Sequence, residues 1–204
     1  MRVKEKHADI IDSTVCVVAK HGFHGASMNM IADGAGICCG TIYLYFESRD
    51  HLMEEACQEL ERRYLAAVMK EYPLQGSIRQ RFFHLEHALI RHYMLFPEEF
   101  LFMDQFFCSP YQKSGSPNIL INTEFSSIMQ LFWEGMEKKL FKEMPPAMLI
   151  AVALGPAIQV LRANMAGILY LDDDRISGTV QACWDSVSLQ KAAYVRRQQT
   201  MPNT

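Results

Sequence analysis

The stretch from Ser27 to Leu52 constrains the fold of this chain more than any other part of its sequence. Ser27 can accept a hydrogen bond from a free backbone amide of a first helical turn, so it predicts the start of a short helix. The apolar side chains that follow recur at helical spacing: Met28, Ile31, Ala32 and Ala35. Gly36 comes where this helix must end, and a left-handed backbone costs glycine little. The stretch therefore predicts a short helix followed by a tight glycine turn.

A second short helix is predicted from about Cys38 to Leu44, a length of roughly 10 Å at 1.5 Å per residue. Ile42 and Phe46 are four residues apart, so both side chains can face inward. The side chains left on the outer side are uncharged: Cys39, Thr41, Tyr43 and Tyr45. Such a surface suits contacts with phosphates and base edges in the major groove. The sequence thus indicates a helix-turn-helix that reads DNA.

A longer helix is predicted to start at Ser48, run to about Tyr72 and end at Pro73 and Gly76. Arg49 would lie in its first turn. A positive charge at a helix start opposes the helix dipole, so we expect Arg49 to meet an anion outside the helix. Because this helix begins at the DNA-reading motif, we expect it to be the mechanical link to the rest of the chain.

The pattern resembles the DNA-binding domain of the tetracycline-repressor (TetR) family of bacterial regulators. The match covers about the first quarter of the chain and involves Ala19, Gly22, Phe23, Ser27, Ile31, Ala32, residues 35–37, residues 40–43, Tyr45, Phe46, Arg49 and Leu52. The chain departs from the family pattern at Cys38 and Cys39, which replace a polar pair, and at Gly34, which weakens the first helix. These departures concern the base preference rather than the fold.

The resemblance implies a homodimeric transcriptional regulator, a repressor rather than an activator, that binds a roughly palindromic operator in double-stranded DNA. It implies DNA contacts from Ser27, Met28, Cys39, Gly40, Thr41, Tyr43, Tyr45 and Arg49. Among these, the serine, the methionine and the arginine would hold phosphates, and the others would touch bases or backbone.

The remainder of the chain shows helical spacing and no strand alternation, so the predicted fold class is all-α. The predicted helices are 3–21, 48–72, 77–96, 97–107, 119–141, 145–170 and one that starts at 177. Residues 109–118 are predicted to form a loop. We place a three-helix DNA-binding domain at residues 1–52 and a larger helical ligand-binding and dimerisation domain at residues 53–204.

The net charge of −3 provides no global signature of nucleic-acid binding. Residues 1–52 carry five Lys or Arg against six Asp or Glu, so we expect weak non-specific affinity for DNA. The N-terminus is charged rather than apolar, and the six cysteines show no CxxC spacing. We expect a cytoplasmic protein with reduced thiols.

Residues 147–171 are apolar enough to suggest a membrane span, but Gln159, Arg162 and Asn164 lie near the middle. We therefore expect a buried helix and no membrane contact. The last two helices carry more apolar surface than one core needs, and the resemblance implies that they form a four-helix dimer interface with their copies. The alternative is that these helices only pack in the core of a single chain. Binding to two DNA half-sites favours the dimer, because each protomer contacts one half-site.

Aromatic residues and methionines concentrate between residues 96 and 136. Such a stripe is usually core, but its density favours an adaptable apolar cavity, and TetR-like proteins bind an inducer in this part of the chain. The predicted ligand-binding residues are Phe102, Met103, Phe106, Phe125, Met129, Trp133, His87 and Asn164. The implied ligand is small and largely apolar, aromatic or acyl. Its binding would shift the helix that begins at Ser48 and release the operator.

The sequence has no nucleophile elbow, phosphate-binding loop or His-x-x-x-His spacing, so we expect no enzymatic activity, cofactor or metal site. Two other interpretations stay open. Cys38 and Cys39 could form a redox or electrophile switch, since a helix N-terminus lowers the pKa of a thiol; the alternative is that two small residues fill a tight helix opening. The chain could also be a helical small-molecule-binding protein whose helix-turn-helix is vestigial, which the acidic N-terminal domain would allow.

Overall fold

A computed structural model describes residues 2–109 and 126–189 of the chain. Over these residues the fold is all-α, as predicted, and the only strand-like pairing is an isolated bridge between Phe141 and Ser188. The helices, numbered in chain order, are α1 (Arg2–Gly25), α2 (Met28–Gly34), α3 (Cys39–Ile42), α4 (Arg49–Met69), α5 (Ile78–Leu95), α6 (Pro97–Phe107), α7 (Ser126–Glu137), α8 (Pro146–Met165) and α9 (Asp173–Val187).

The described residues form two compact units. The first unit contains residues 2–70 and 91–109, and the second contains residues 71–90 and 126–189, so that α5 begins in the second and ends in the first. This division differs from a boundary after residue 52, because α4 lies wholly in the first unit and α6 packs against α1. The functional division into a DNA-binding and a ligand-binding domain stays a prediction.

Helices α1, α2, α3, α4 and α6 share the core of the first unit. The side chains there that are at most 1% exposed are Ile10, Ile11, Val18, Ile31, Ala32, Ile42, Phe46, Leu52, Met53, Ala56, Leu60 and Phe102. Each large apolar side chain contributes about 1.5–3 kcal/mol when it is buried. Because α2 and α3 have only seven and four residues, they are too short to be stable alone and depend on this burial.

Two glycines shape the way α1 meets its neighbours. At Gly22 the backbone leaves the helical region (φ +72°), which confirms the predicted break, and the next residue, Phe23, packs against Phe102 with ring centroids 5.3 Å apart. At Gly34 an added Cβ would lie 2.4 Å from the hydroxyl oxygen of Ser13, which donates to the carbonyl of Ile31 at 2.7 Å. Gly34 thus permits close packing of α2 on α1. This packing explains why glycine occurs inside a helix, where its helix propensity is poor.

A half-buried guanidinium joins three helices of the first unit. Arg63 of α4 donates to Asp12 of α1 at 2.7 Å, to Glu59 of α4 at 3.0 Å and to Glu99 of α6 at 3.2 Å. His92 lies 3.0 Å from the other oxygen of Glu99. Hydrogen bonds in which both groups are charged are stronger than neutral ones, so this network holds α1 and α6 in position on α4.

The core of the second unit is aromatic. Phe82, Phe132 and Phe141 are almost completely buried, and Trp184 lies edge-on to Phe82 with centroids 5.4 Å apart. The sequence placed Phe141 inside a helix, but α7 ends before it and its ring folds back over Gly135. A Cβ on Gly135 would lie 2.1 Å from that ring, so the glycine creates the space that the phenylalanine fills.

The ends of α8 and α9 also differ from the predicted ones. α8 ends earlier, before a left-handed turn at Gly167 (φ +69°). α9 begins at Asp173 rather than Ser177, because the carboxylate of Asp172 accepts a hydrogen bond from the backbone N–H of Arg175 at 2.9 Å. The acidic run therefore caps the last helix instead of preceding it.

Helix α8 is long and apolar enough to cross a membrane by length and composition, with a mean hydropathy of 1.6. Its deeply buried residues form a single stripe: Leu149, Ala153, Ala157 and Leu161. Among the described residues, only 22% of its most apolar window is buried. The prediction of a buried helix is therefore wrong for the single chain, because it holds for that stripe alone.

Candidate nucleic-acid interface

The start of α2 and the turn after it follow the predicted local chemistry. The backbone N–H of Met30 donates to the hydroxyl of Ser27 at 3.2 Å, as expected of an N-cap. Gly36 has φ +64°, and the N–H of Ile37 donates to the carbonyl of Ala32 at 3.0 Å. This 6→1 hydrogen bond closes the end of α2 and aims the chain into α3.

Helix α3 is shorter than predicted, because regular helix ends at Ile42 and a turn follows through Tyr45. Both Tyr45 and Phe46 donate backbone hydrogen bonds to the carbonyl of Ile42, at 2.9 and 3.0 Å. Ile42 is 0% and Phe46 is 1% exposed, which confirms that these two side chains face inward. Their burial fixes which side of α3 is turned to solvent.

The outer side of α3 carries no charged group. Tyr43 is 52% exposed, Gly40 is exposed and Thr41 is half-buried, whereas the half-buried Cys39 and Tyr45 pack against the core of the first unit. Leu44 is 82% exposed, yet it was not among the predicted DNA contacts. Its spacing could have revealed it, since a residue two after Ile42 and two before Phe46 cannot share their inward face.

Arg49 has an internal role that the sequence did not predict. One terminal nitrogen of its guanidinium donates to the carbonyl oxygens of Phe23 and Ala26, the latter at 3.2 Å. Phe23 lies in the last turn of α1 and Ala26 in the loop that follows, so Arg49 connects the end of α1 and this loop to the start of α4. An internal partner thus offsets its unfavourable place at a helix start, and a phosphate contact stays a prediction.

The two adjacent cysteines have different environments. The sulfur of Cys38 is exposed and lies 3.0 Å from the hydroxyl oxygen of Thr41, whereas Cys39 is half-buried. The hydrogen bond with Thr41 lowers the pKa of the Cys38 thiol below its ordinary value. A lowered pKa and an exposed sulfur are both properties of reactive cysteines.

The interface has few means of attracting phosphates by charge. Residues 27–48 contain no lysine or arginine and two acids, Asp33 and Glu47. Attraction between this surface and DNA must therefore come from hydroxyl groups, backbone amides and apolar contacts. The weak non-specific affinity expected from the charge balance stays a prediction.

Three predicted ligand-binding residues lie in the core of the first unit. Phe102, Met103 and Phe106 are at most 7% exposed and belong to the core that α6 shares with α1. The ring of Phe106 lies 6.2 Å from that of Phe23, centroid to centroid. Their side chains therefore contribute to the core of the first unit, and a ligand role for them stays a prediction.

The other predicted ligand residues are divided between the second unit and the part of the chain that is not described. Phe125 lies outside the described residues. His87 and Asn164 make local contacts: a ring nitrogen of His87 lies 2.7 Å from the carbonyl of its own helix one turn earlier, and the Asn164 amide donates to the carbonyl of Leu169. Met129 is half-buried and Trp133 is 55% exposed. A ligand role for these residues stays a prediction.

Two protein-family models match the chain. Residues 77–188, more than half of its length, match the tetracyclin repressor-like C-terminal domain, and residues 10–56 match the tetR family of bacterial regulatory proteins. The second match spans α2 and α3. It favours a DNA-reading helix-turn-helix over a vestigial one.

Individual relatives agree with these models. The chain is 26% identical over 92 residues to the fatty acid metabolism regulator protein of Bacillus subtilis (strain 168), covering 45% of this chain and 46% of that protein. It is 37% identical over 60 residues to the HTH-type transcriptional repressor KstR of Rhodococcus jostii (strain RHA1), covering 29% and 28%. The chain thus spans less than half the length of these curated relatives.

The fold as a whole is also found in a solved structure. A TetR family transcription regulator from Marinobacter aquaeolei VT8 superposes with a TM-score of 0.83 at 22% identity, over 92% of this chain and 99% of that one. The uncharged reading surface, its buried anchors and both family matches lead to one conclusion. The chain belongs to the TetR family of bacterial transcriptional regulators, and its helix-turn-helix is a DNA-binding domain.

Proposed function

We propose that this regulator represses transcription by binding a palindromic operator as a homodimer and that a small, largely apolar ligand releases it. The observation that carries the proposal is the outer side of α3, where Tyr43 is 52% exposed while Ile42 and Phe46 anchor the helix from within. Exposed tyrosine has no structural task in the first unit, so its place on this side suits contact with DNA.

The homodimer is supported by the uncovered part of α8. The stripe that packs toward α9 leaves a second apolar face of α8, on which Met148 and Ala151 are exposed and Gly155 and Ile158 are half-buried. Contiguous exposed apolar surface of this kind marks an interaction site in soluble proteins. Small residues at the centre of the face allow the backbone of a second copy to approach closely.

Two-fold symmetry in the protein implies two-fold symmetry in the operator. A helix as short as α3 contacts only a few base pairs, so affinity requires a second half-site. Recognition helices of such dimers enter successive major grooves roughly 34–36 Å apart, or a multiple of that distance. We therefore propose two inverted half-sites separated by whole turns of DNA.

Release by a ligand requires that the ligand prefer the DNA-incompetent state. A shift of the equilibrium between the two states from 1:99 to 99:1 takes about 5.5 kcal/mol of preference. Met129, Trp133, His87 and Asn164 of the second unit remain the candidate contacts, and the name of the Bacillus subtilis relative supports an acyl-type ligand. The ligand would act by shifting α4, whose first turn adjoins α3 in sequence.

Replacing Tyr43 with alanine should weaken operator binding about 30-fold or more, because both protomers lose a contact worth roughly 1–3 kcal/mol. The Tyr43→Phe variant keeps the ring and separates the contribution of the hydroxyl. Fluorescence anisotropy with a labelled operator measures the affinity, and light scattering checks that the dimer persists. Unchanged affinity would show that Tyr43 does not contact DNA, and loss of the dimer would show that its role is structural.

A second candidate function is thiol sensing through Cys38. It is favoured by the exposed Cys38 sulfur, its 3.0 Å contact with Thr41 and its lowered pKa. Alkylation with iodoacetamide should then weaken operator binding at least tenfold, and a Cys38→Ser variant should resist the reagent. Affinity that is unchanged after complete alkylation of Cys38 would eliminate this mode of regulation.

A further inference from the structure

Leu44 is the most exposed of the large apolar side chains in the described residues, at 82%. It lies in the turn after α3, between Tyr43 and Tyr45, on the side opposite to the buried Ile42 and Phe46. Nothing in the first unit requires leucine at this position, since its side chain contributes almost no burial to the core. Because this surface faces DNA in the proposed complex, the exposed leucine side chain is expected to contact the DNA there.

The neighbours of Leu44 restrict what that contact can be. From residue 27 to residue 48 there is no lysine or arginine, so this surface cannot make the arginine–guanine contact that is commonest in the major groove. Thr41 and Tyr43 supply hydroxyl groups, and Leu44 supplies only carbon. Among the base edges of the major groove, the C5-methyl group of thymine is the apolar feature that such a side chain can recognise.

We propose that Leu44 contacts the C5-methyl group of a thymine in each operator half-site and that this apolar contact determines part of the base preference. The inference rests on the proposed operator binding. It places sequence discrimination on a residue that carries no hydrogen-bonding group. It also implies that Leu44 adds affinity without neutralising phosphates.

Deoxyuridine substitution tests the contact, because it deletes the thymine methyl group and nothing else. Each symmetric pair of thymines in the operator is replaced in turn by deoxyuridine, and the dissociation constant is measured for the wild type and for Leu44→Ala. We expect deoxyuridine at one symmetric pair to weaken wild-type binding about tenfold. Each half-site then loses the burial of one methyl group, and each loss lowers the affinity about three- to fivefold. Leu44→Ala should bind the thymine operator more weakly and respond less than twofold to deoxyuridine at that pair.

Controls separate a DNA contact from a structural effect. Leu74→Ala removes another exposed leucine (61%) of the second unit and should leave affinity unchanged. Thermal unfolding of Leu44→Ala should match the wild type, since the side chain is barely buried. The slope of log affinity against log salt should be the same for Leu44→Ala and the wild type, because leucine displaces no counterions.

The outcomes are distinct. If no deoxyuridine substitution changes the affinity of the wild type for the operator, the role of Leu44 is overturned and the proposed function stays intact. The same would follow if Leu44→Ala kept the wild-type sensitivity to deoxyuridine. Failure of the folded wild type to bind any duplex specifically would overturn both the operator binding and the role of Leu44.

Discussion

The Gly155→Glu variant is expected to be a folded monomer that no longer binds the operator. Gly155 lies on the outward face of α8, where an added Cβ would meet no described atom within 4 Å, so the protomer tolerates the side chain. Glutamate also has a better helix propensity than glycine by about 0.5 kcal/mol or more. In a dimer packed through this face, two carboxylates would be desolvated at a cost of several kcal/mol each.

Light scattering at micromolar concentration measures the mass, and anisotropy measures operator binding. The matched control is Gly40→Glu, the same substitution at a glycine of α3 that also has open space around it. We expect this control to remain a dimer and to lose the operator, because its carboxylate would face phosphates. If the Gly155→Glu variant forms a dimer as stable as that of the wild type, α8 is not the interface.

Stability should fall as the pH rises from about 5 to about 8, because of one carboxyl group in the second unit. Glu86 is completely buried. Within the described residues neither of its oxygens has a nitrogen or oxygen donor as partner, and the only donor beside it is the weak one of the Cys183 thiol. Burial raises the pKa of Glu86 to about 8. In the unfolded chain the pKa is about 4.3, so between these values the folded state binds the extra proton and a rise in pH favours unfolding.

Between pH 5 and pH 8 the expected loss is up to about 4 kcal/mol, an upper bound for three pH units at 1.36 kcal/mol per unit. It is measured by the denaturant midpoint at pH 5, 6, 7 and 8. Glu86→Gln should reduce the dependence of the denaturant midpoint on pH. A smaller dependence should persist, because burial also raises the pKa of Glu61. In the control Glu134→Gln the slope should stay as in the wild type, because Arg81 lowers the pKa of Glu134 to about 2, outside this range. A wild-type midpoint that is constant from pH 5 to pH 8 contradicts this role of Glu86.

The parts of the structure that follow local rules could be predicted from the sequence. Ser27 as a cap, Gly36 as a left-handed turn, and Ile42 with Phe46 as inward anchors each depend on residues within a few positions of one another. Arg49 could not be assigned in this way. Its acceptors lie 23 and 26 residues earlier in the chain, so its partner depends on tertiary packing.

The aromatic segment shows the limit of periodicity. Helical spacing indicates that Phe102 and Phe106 are buried, but it does not say against what, and a core contact with α1 looks the same in sequence as a cavity wall. Helix α8 poses the same difficulty. A core helix and an interface helix are equally apolar, and only the burial of a single stripe in the protomer distinguishes them.

Selection of bound sequences from a random duplex pool tests the central claim most directly. It uses the purified protein under reducing conditions at moderate salt, and the enriched duplexes are sequenced. We expect a single inverted repeat to emerge, with half-sites spaced by whole turns of DNA and with thymine at a symmetric pair of positions. Enrichment of no sequence by the folded dimer would contradict specific operator binding through α3.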